Sequence, residues 1–190
     1  MNKLREEINR KIHENQNKLF AEWNAYYMLI ATSLFCFVIL ILYTFRNFNP
    51  SVIPVPKYHT YGFVEIVLST AFGWISFYQY KNDNLKYGVY ALIFSTICIF
   101  IFNLSMYRSW ETLKIWKNNF NQFQLSFMSY MMLTVFHFFH TLGLIFYQIY
   151  LIFLHNKYLI HKKSIDKIKL SVYFSTYLTI VASLILIIFI

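Results

Sequence analysis

The chain has 190 residues, of which 58% are hydrophobic and 13% are charged, and its mean hydropathy is +0.45. A soluble domain carries about 25% charged residues, so this composition excludes an ordinary soluble domain and indicates an integral membrane protein. The formal net charge of +9 does not indicate a nucleic-acid partner, because the Lys and Arg residues lie in short segments between apolar runs and form no continuous basic stripe.

The first segment, residues 1–22, is polar and carries charges of both signs. Ile8, Ile12 and Leu19 recur at loosely helical spacing, so we expect a cytoplasmic lead-in that is either an amphipathic helix on the membrane surface or a solvent-exposed segment. Its charges exclude the apolar region of a cleavable signal peptide, and the first apolar run is expected to act as an uncleaved anchor. Residues 23–190 are expected to form a single membrane domain.

Five long apolar runs follow, and they predict an all-α, polytopic membrane protein with five transmembrane helices. The second run contains Glu65 and is the shortest. A helical hairpin through the polar residues 81–84 would nevertheless pair the second run with the third. The fourth run is longer than the roughly 20 residues that a bilayer requires, so we expect that helix to tilt or protrude. The five runs cover residues 25–45, 63–80, 87–107, 127–154 and 170–190.

The basic residues predict the orientation, because cytoplasmic loops carry an excess of Lys and Arg. The side of the N-terminus has more of them than the opposite side, so we expect a cytoplasmic N-terminus and, with five spans, an external C-terminus. The N-terminal side holds Lys3, Arg5, Arg10, Lys11, Lys18, Lys81, Lys86, Lys157, Lys162, Lys163, Lys167 and Lys169. The opposite side holds Arg46, Lys57, Arg108, Lys114 and Lys117.

The fourth run contains two histidines, His137 and His140, among apolar and uncharged residues. Residues i and i+3 share one face of a helix, so the pair predicts a polar spot at membrane depth, where polar groups are costly and usually have a function. Gly143 follows on roughly the same face and would let another helix come close. Hydrogen bonding between helices, or to a neighbouring subunit, is favoured over haem or metal ligation, because a single pair of histidines cannot build a complete ligand set.

These features, in this order, resemble subunit III of the haem-copper (cytochrome c) oxidases in its short five-helix form. That family carries a motif in a late helix, T-G-x-H-G-x-H-V, which is closely followed by Gly. Val135 and Phe138 replace its two glycines here, and Thr141 replaces its valine. The residues that match in register are Thr134, His137, His140 and Gly143.

A second similarity and two departures bear on the role that the resemblance implies. Glu111 lies near the place of the family's Q-x-x-E-(W/Y) element. In the loop after the third run, it is expected to be either a fixed structural carboxylate or a solvated partner of Arg108 or Lys114. The family's membrane-embedded Glu is replaced by Ser33 or Thr32, and the His and Asp of its last helix are missing. A structural role is therefore favoured over proton delivery.

The resemblance implies a non-redox structural subunit of a bacterial respiratory cytochrome c oxidase, in the cytoplasmic (inner) membrane. It implies no catalytic residue, metal ligand or cofactor in this chain. The haem and copper belong to subunits I and II, the expected partners, which reduce O2 to water and translocate protons. Subunit IV and a larger respiratory supercomplex are further candidate partners. The electron donor, cytochrome c or quinol, stays open.

Bound phospholipid is also expected, because basic residues between the fourth and fifth runs would attract anionic head groups at about 1 kcal/mol each near the surface. The same charges also serve the topology of the chain. The candidate head-group ligands are Lys157, Lys162, Lys163 and Lys167.

Two other classes of function stay open at this point. One is a stand-alone membrane transporter or enzyme with a site at His137 and His140, although the sequence shows neither the internal repeat nor the broken helices that transporters often have. The other is an oxidase assembly factor, which only its stoichiometry in the purified complex would separate from a true subunit.

Overall fold

In a computed structural model of the chain, the residues described are 55–116, 124–157, 160 and 165–189. They form four long helices, which are α1 (Lys57–Lys81), α2 (Leu85–Trp116), α3 (Gln124–Asn156) and α4 (Ile165–Phe189). All four are long and apolar enough to cross a membrane. The chain is therefore all-α over these residues, with the helices of a multi-pass membrane protein. The predicted lead-in and the first predicted span, residues 25–45, lie outside the described residues.

The second to fifth predicted spans are confirmed as helices, but most of their ends lie outside the predicted bounds. The largest difference is at the end of α2, where Glu111 lies on the helix; its predicted position in a loop was wrong. Polar side chains support this last part of α2, because Thr112 donates to the carbonyl oxygen of Arg108 and Arg108 pairs with Glu111 at 3.0 Å. Hydropathy detects only the apolar part of such a helix.

The four helices form a closed ring in which each helix packs against its neighbours in the sequence and α4 packs against α1. The contacts between α2 and α3 show that these helices are antiparallel, because positions further along α3 meet positions further back on α2. Trp110 on α2 meets Thr134 on α3. Further along, Thr96 on α2 meets Gln148 on α3. This is the up-down-up-down arrangement of a four-helix bundle.

The predicted hairpin between α1 and α2 is confirmed. Asp83 has a φ of 61°, a left-handed conformation that reverses the chain within the turn. The backbone N–H of Asn84 donates to the carbonyl oxygen of Gln79 at 2.9 Å. A Cβ atom on Gly88 would lie 2.7 Å from a ring carbon of Tyr80, so only glycine lets α2 approach α1 this closely.

The buried residues of α1 recur at alternating spacings of three and four. An average spacing of 3.5 residues keeps one seam of a helix facing its partners in a left-handed bundle. This inner seam is rich in small and polar residues, whereas large apolar side chains such as Trp74 and Val64 are exposed on the outside. The seam consists of His59, Gly62, Ile66, Ser69, Gly73, Ser76 and Tyr80.

Candidate functional site

The inward seam of α3 carries a series of polar side chains that face the inside of the bundle. Its members also follow the alternating spacing of three and four, and two leucines interrupt the polar series. Five of the six polar members have a hydrogen-bond partner on another helix, and His137 is the exception among the described residues. The seam consists of Tyr130, Thr134, His137, Thr141, Leu144, Gln148, Leu151 and His155.

At the start of α3, two hydrogen bonds join it to α1 and α2. The hydroxyl group of Tyr130 lies 2.8 Å from Nδ1 of His59, and both side chains are buried. The indole N–H of Trp110 donates to Oγ1 of Thr134 at 3.0 Å. Thr134 itself donates to the carbonyl oxygen of Tyr130, so its hydroxyl group is used both as donor and as acceptor. Thr134, the first of the residues matched in the sequence, is therefore a contact between α2 and α3.

His137 is only 3% exposed, and neither of its ring nitrogens has a hydrogen-bond partner among the residues that the structure describes. Its ring packs against Phe102 of α2, with ring centroids 5.4 Å apart and planes at 89°. The interhelical hydrogen bond that we expected for this histidine is therefore not formed within the described bundle. What the structure shows is an apolar contact made by a polar ring.

His140 and Gly143 face differently from His137. His140 is half-buried, and its Nδ1–H donates to the carbonyl oxygen of Phe136, on its own helix, at 2.6 Å. Gly143 is exposed, and a Cβ atom placed there would meet no described atom within 4 Å. The four matched residues thus divide into an inward pair, Thr134 and His137, and a pair at the edge or outside of the bundle.

Near the middle of the bundle, one amide joins three helices. Gln148 is fully buried, and its Nε2 donates to Oγ of Ser95 on α2 at 3.1 Å and to Oγ of Ser171 on α4 at 3.3 Å. Its Oε1 accepts a hydrogen bond from Thr96 on α2 at 2.9 Å. Ser95 is also 3.0 Å from Ser69 on α1. The network therefore reaches all four described helices.

Two further pairs lie on either side of this network. Thr141 donates to Oδ1 of Asn103 at 2.9 Å, and both residues are buried. At the far end, the hydroxyl group of Tyr80 lies 2.8 Å from Nδ1 of His155. Buried polar groups in hydrocarbon are costly unless they are paired, and these pairs satisfy that requirement between helices.

The carboxylates Glu111 and Glu65 lie away from the centre of these networks. Glu111 pairs with Arg108 as one of the two alternatives expected, and the side chains of Arg108 and Glu111 are 66% and 41% exposed. Glu65 accepts a hydrogen bond from Ser105 of α2 at 2.8 Å and is half-buried. Its carboxylate therefore joins α1 to α2.

The predicted lipid site is only partly described. The ammonium group of Lys157 lies 4.5 Å from the ring centroid of Phe153, and the carbonyl oxygen of Lys167 accepts a hydrogen bond from Tyr147. Lys162 and Lys163 lie outside the described residues. Head-group binding by these four residues stays a prediction.

Within the described ranges, no three His, Cys, Asp or Glu side chains lie close enough together to hold a metal ion. The Gln148 network was missed by the analysis of the sequence. The signal that would have found it is the alternating spacing of three and four among the small and polar residues inside each apolar run.

The comparisons with protein-family models, with curated proteins and with solved structures found no match for this chain.

Proposed function

We propose that the chain is a non-redox structural subunit, similar to subunit III, of a bacterial respiratory haem-copper oxidase. Its partners would be the subunits that hold haem and copper, together with bound phospholipid. The excess of basic residues on one side favours a cytoplasmic N-terminus in the inner membrane. The family assignment depends on the motif-like residues of α3, of which Thr134 and His137 line the interior of the bundle.

The observation that best supports a structural role is that polar side chains inside the bundle bind side chains of neighbouring helices. Gln148, Thr141 and Thr134 each bind a side chain of a neighbouring helix. Residues used in this way hold a bundle together. The described helices are also continuous, whereas substrate sites of transporters are typically formed by broken helices. Both observations favour a scaffold over a stand-alone transporter.

The proposal is tested by purifying the affinity-tagged chain in a mild detergent and recording two properties of the same sample. Mass spectrometry identifies the proteins that accompany the chain, and a reduced-minus-oxidised optical spectrum detects haem. We expect a haem-copper oxidase with its haem bands. A chain that is purified alone and colourless would overturn the proposal, and a chain that is purified alone with haem would instead support ligation by its own histidines.

A variant tests the role of the bundle interior in holding the complex together. His137→Leu changes the contact with Phe102, so we expect weaker retention of the chain in the oxidase with unchanged haem bands. Met132→Leu is the matched control, because Met132 is 48% exposed on the outside of the same helix. A lost or shifted haem band in His137→Leu would contradict a purely structural role.

A further inference from the structure

His137 differs from every other polar side chain on the α3 seam. Only 3% of its surface is exposed, yet both of its ring nitrogens lack a hydrogen-bond partner among the described residues. A neutral imidazole carries one N–H donor and one acceptor nitrogen. Leaving both unpaired in a low-dielectric interior is costly, and native proteins commonly satisfy such groups with an internal water molecule. The exception therefore points to a ligand.

The surroundings of His137 show from which side such a ligand would arrive. Phe102 touches the His137 ring and also α1, where a Cβ atom on Gly62 would lie 3.2 Å from the Phe102 ring. His59 lies one turn before Gly62 on the same buried seam and is hydrogen-bonded to Tyr130.

On the other side of His137, an apolar layer crosses the interior. Beyond the buried pair of Thr141 and Asn103, one buried aliphatic residue from each helix closes the bundle before the Gln148 network begins. The four side chains of that layer cannot hydrogen-bond to water. Beside the layer, the hydroxyl group of Thr179 contacts Thr70 and the carbonyl oxygen of Ile66. The layer consists of Ile66, Ile99, Leu144 and Leu178.

We propose that His137 is a water-binding site inside the bundle, hydrated only from the end of the bundle where His59 and Tyr130 lie. The water molecule hydrogen-bonds to the imidazole ring and reaches it from the side of the His59–Tyr130 pair. The imidazole gives its N–H proton to that water and takes one proton back, so the charge of the ring is the same before and after the exchange. The aliphatic layer separates this site from the Gln148 network and from the Tyr80–His155 pair. The interior is therefore hydrated from one side.

Water-edited solid-state NMR of the full chain in phospholipid vesicles tests the hydration. Histidine and leucine are isotopically labelled, and the His137 and Leu144 signals are assigned by their loss in His137→Gln and Leu144→Ile. We expect magnetisation from water to reach the His137 ring several-fold faster than the Leu144 methyl groups. Equal build-up at the two residues would show that His137 is dry and would overturn the proposal.

Two matched variants test the direction. Tyr130→Phe and Tyr80→Phe each remove one phenolic hydroxyl group that is 2.8 Å from a histidine, at opposite ends of the bundle. Tyr130→Phe should change the rate of transfer to His137 several-fold, and Tyr80→Phe should leave it unchanged. The opposite pattern, or no change in either variant, would show that His137 is not hydrated from the His59 end.

Thermal unfolding of His137→Leu provides a check that does not depend on labelling. If the imidazole were dry, replacing it with an apolar residue of similar size would remove the cost of burying an unpaired polar group, so the melting temperature would rise. A hydrated imidazole loses its water-mediated hydrogen bonds, so we expect the melting temperature to fall. A rise would contradict the water site even if the chain proves to be an oxidase subunit.

Discussion

The Gln148 network yields the most quantitative prediction, because one side chain makes three hydrogen bonds to α2 and α4. Hydrogen bonds between side chains of membrane helices average about 0.6 kcal/mol each, so Gln148→Leu should lower the free energy of unfolding by about 2 kcal/mol. Leucine preserves most of the volume, and two of the abandoned groups keep other partners. Ser95 still lies near Ser69, and Thr96 still donates to the carbonyl oxygen of Leu92. The loss of stability in Gln148→Leu should therefore not be increased by a large cavity or by buried polar groups without a partner.

A double-mutant cycle isolates one of these bonds. Gln148→Leu, Ser171→Ala and the double variant are unfolded at equilibrium in mixed micelles of a mild detergent and sodium dodecyl sulfate, with helicity followed by circular dichroism. We expect a coupling of about 0.6 kcal/mol between the two positions. Ile149→Leu, at a neighbouring residue that is 50% exposed, is the control and should change nothing. A coupling of zero, or unchanged stability in Gln148→Leu, would refute the claim that this network holds the helices together.

Two glycines and one threonine give further predictions. Gly88→Ala places a methyl group 2.7 Å from the Tyr80 ring and should destabilise the bundle by about 1–3 kcal/mol, whereas Gly143→Ala meets open space and should be neutral or stabilising by up to about 1 kcal/mol. If the two variants changed the free energy of unfolding equally in the same assay, α1 and α2 would not be in close contact at Gly88. Thr134→Val removes the acceptor of the Trp110 indole and should cost about 1–3 kcal/mol. Unaltered stability together with unaltered tryptophan fluorescence would contradict that bond.

The positions of the described helices could be predicted from the sequence, because crossing a bilayer requires about 20 apolar residues and that requirement is local. The helix ends could not. α2 continues beyond residue 107, where backbone hydrogen bonds and polar side chains such as Thr112 stabilise the helix. A hydropathy scale scores such polar residues as unfavourable for a membrane span. The tight hairpin was predictable because its polar residues leave little chain between two apolar runs.

The candidate site was only partly predictable. His137 and His140 lie three residues apart, which on a helix separates them by about 60°. A seam with a spacing of 3.5 is narrow enough to include His137 and leave His140 at its edge. Periodicity can therefore show which residues face inward. It cannot show that Gln148 reaches both Ser95 and Ser171, because that depends on which helices are neighbours in the ring.

The proposed role as a structural subunit is tested most directly by counting copies of the chain in the complex. The tag is placed on the haem-bearing subunit of the oxidase, the complex is purified in a mild detergent, and native mass spectrometry determines its composition. The account predicts one copy of this chain per haem-bearing subunit in the mature, active oxidase. Its absence from that complex, or its presence only in incomplete complexes that lack haem, would contradict the account and support an assembly factor instead.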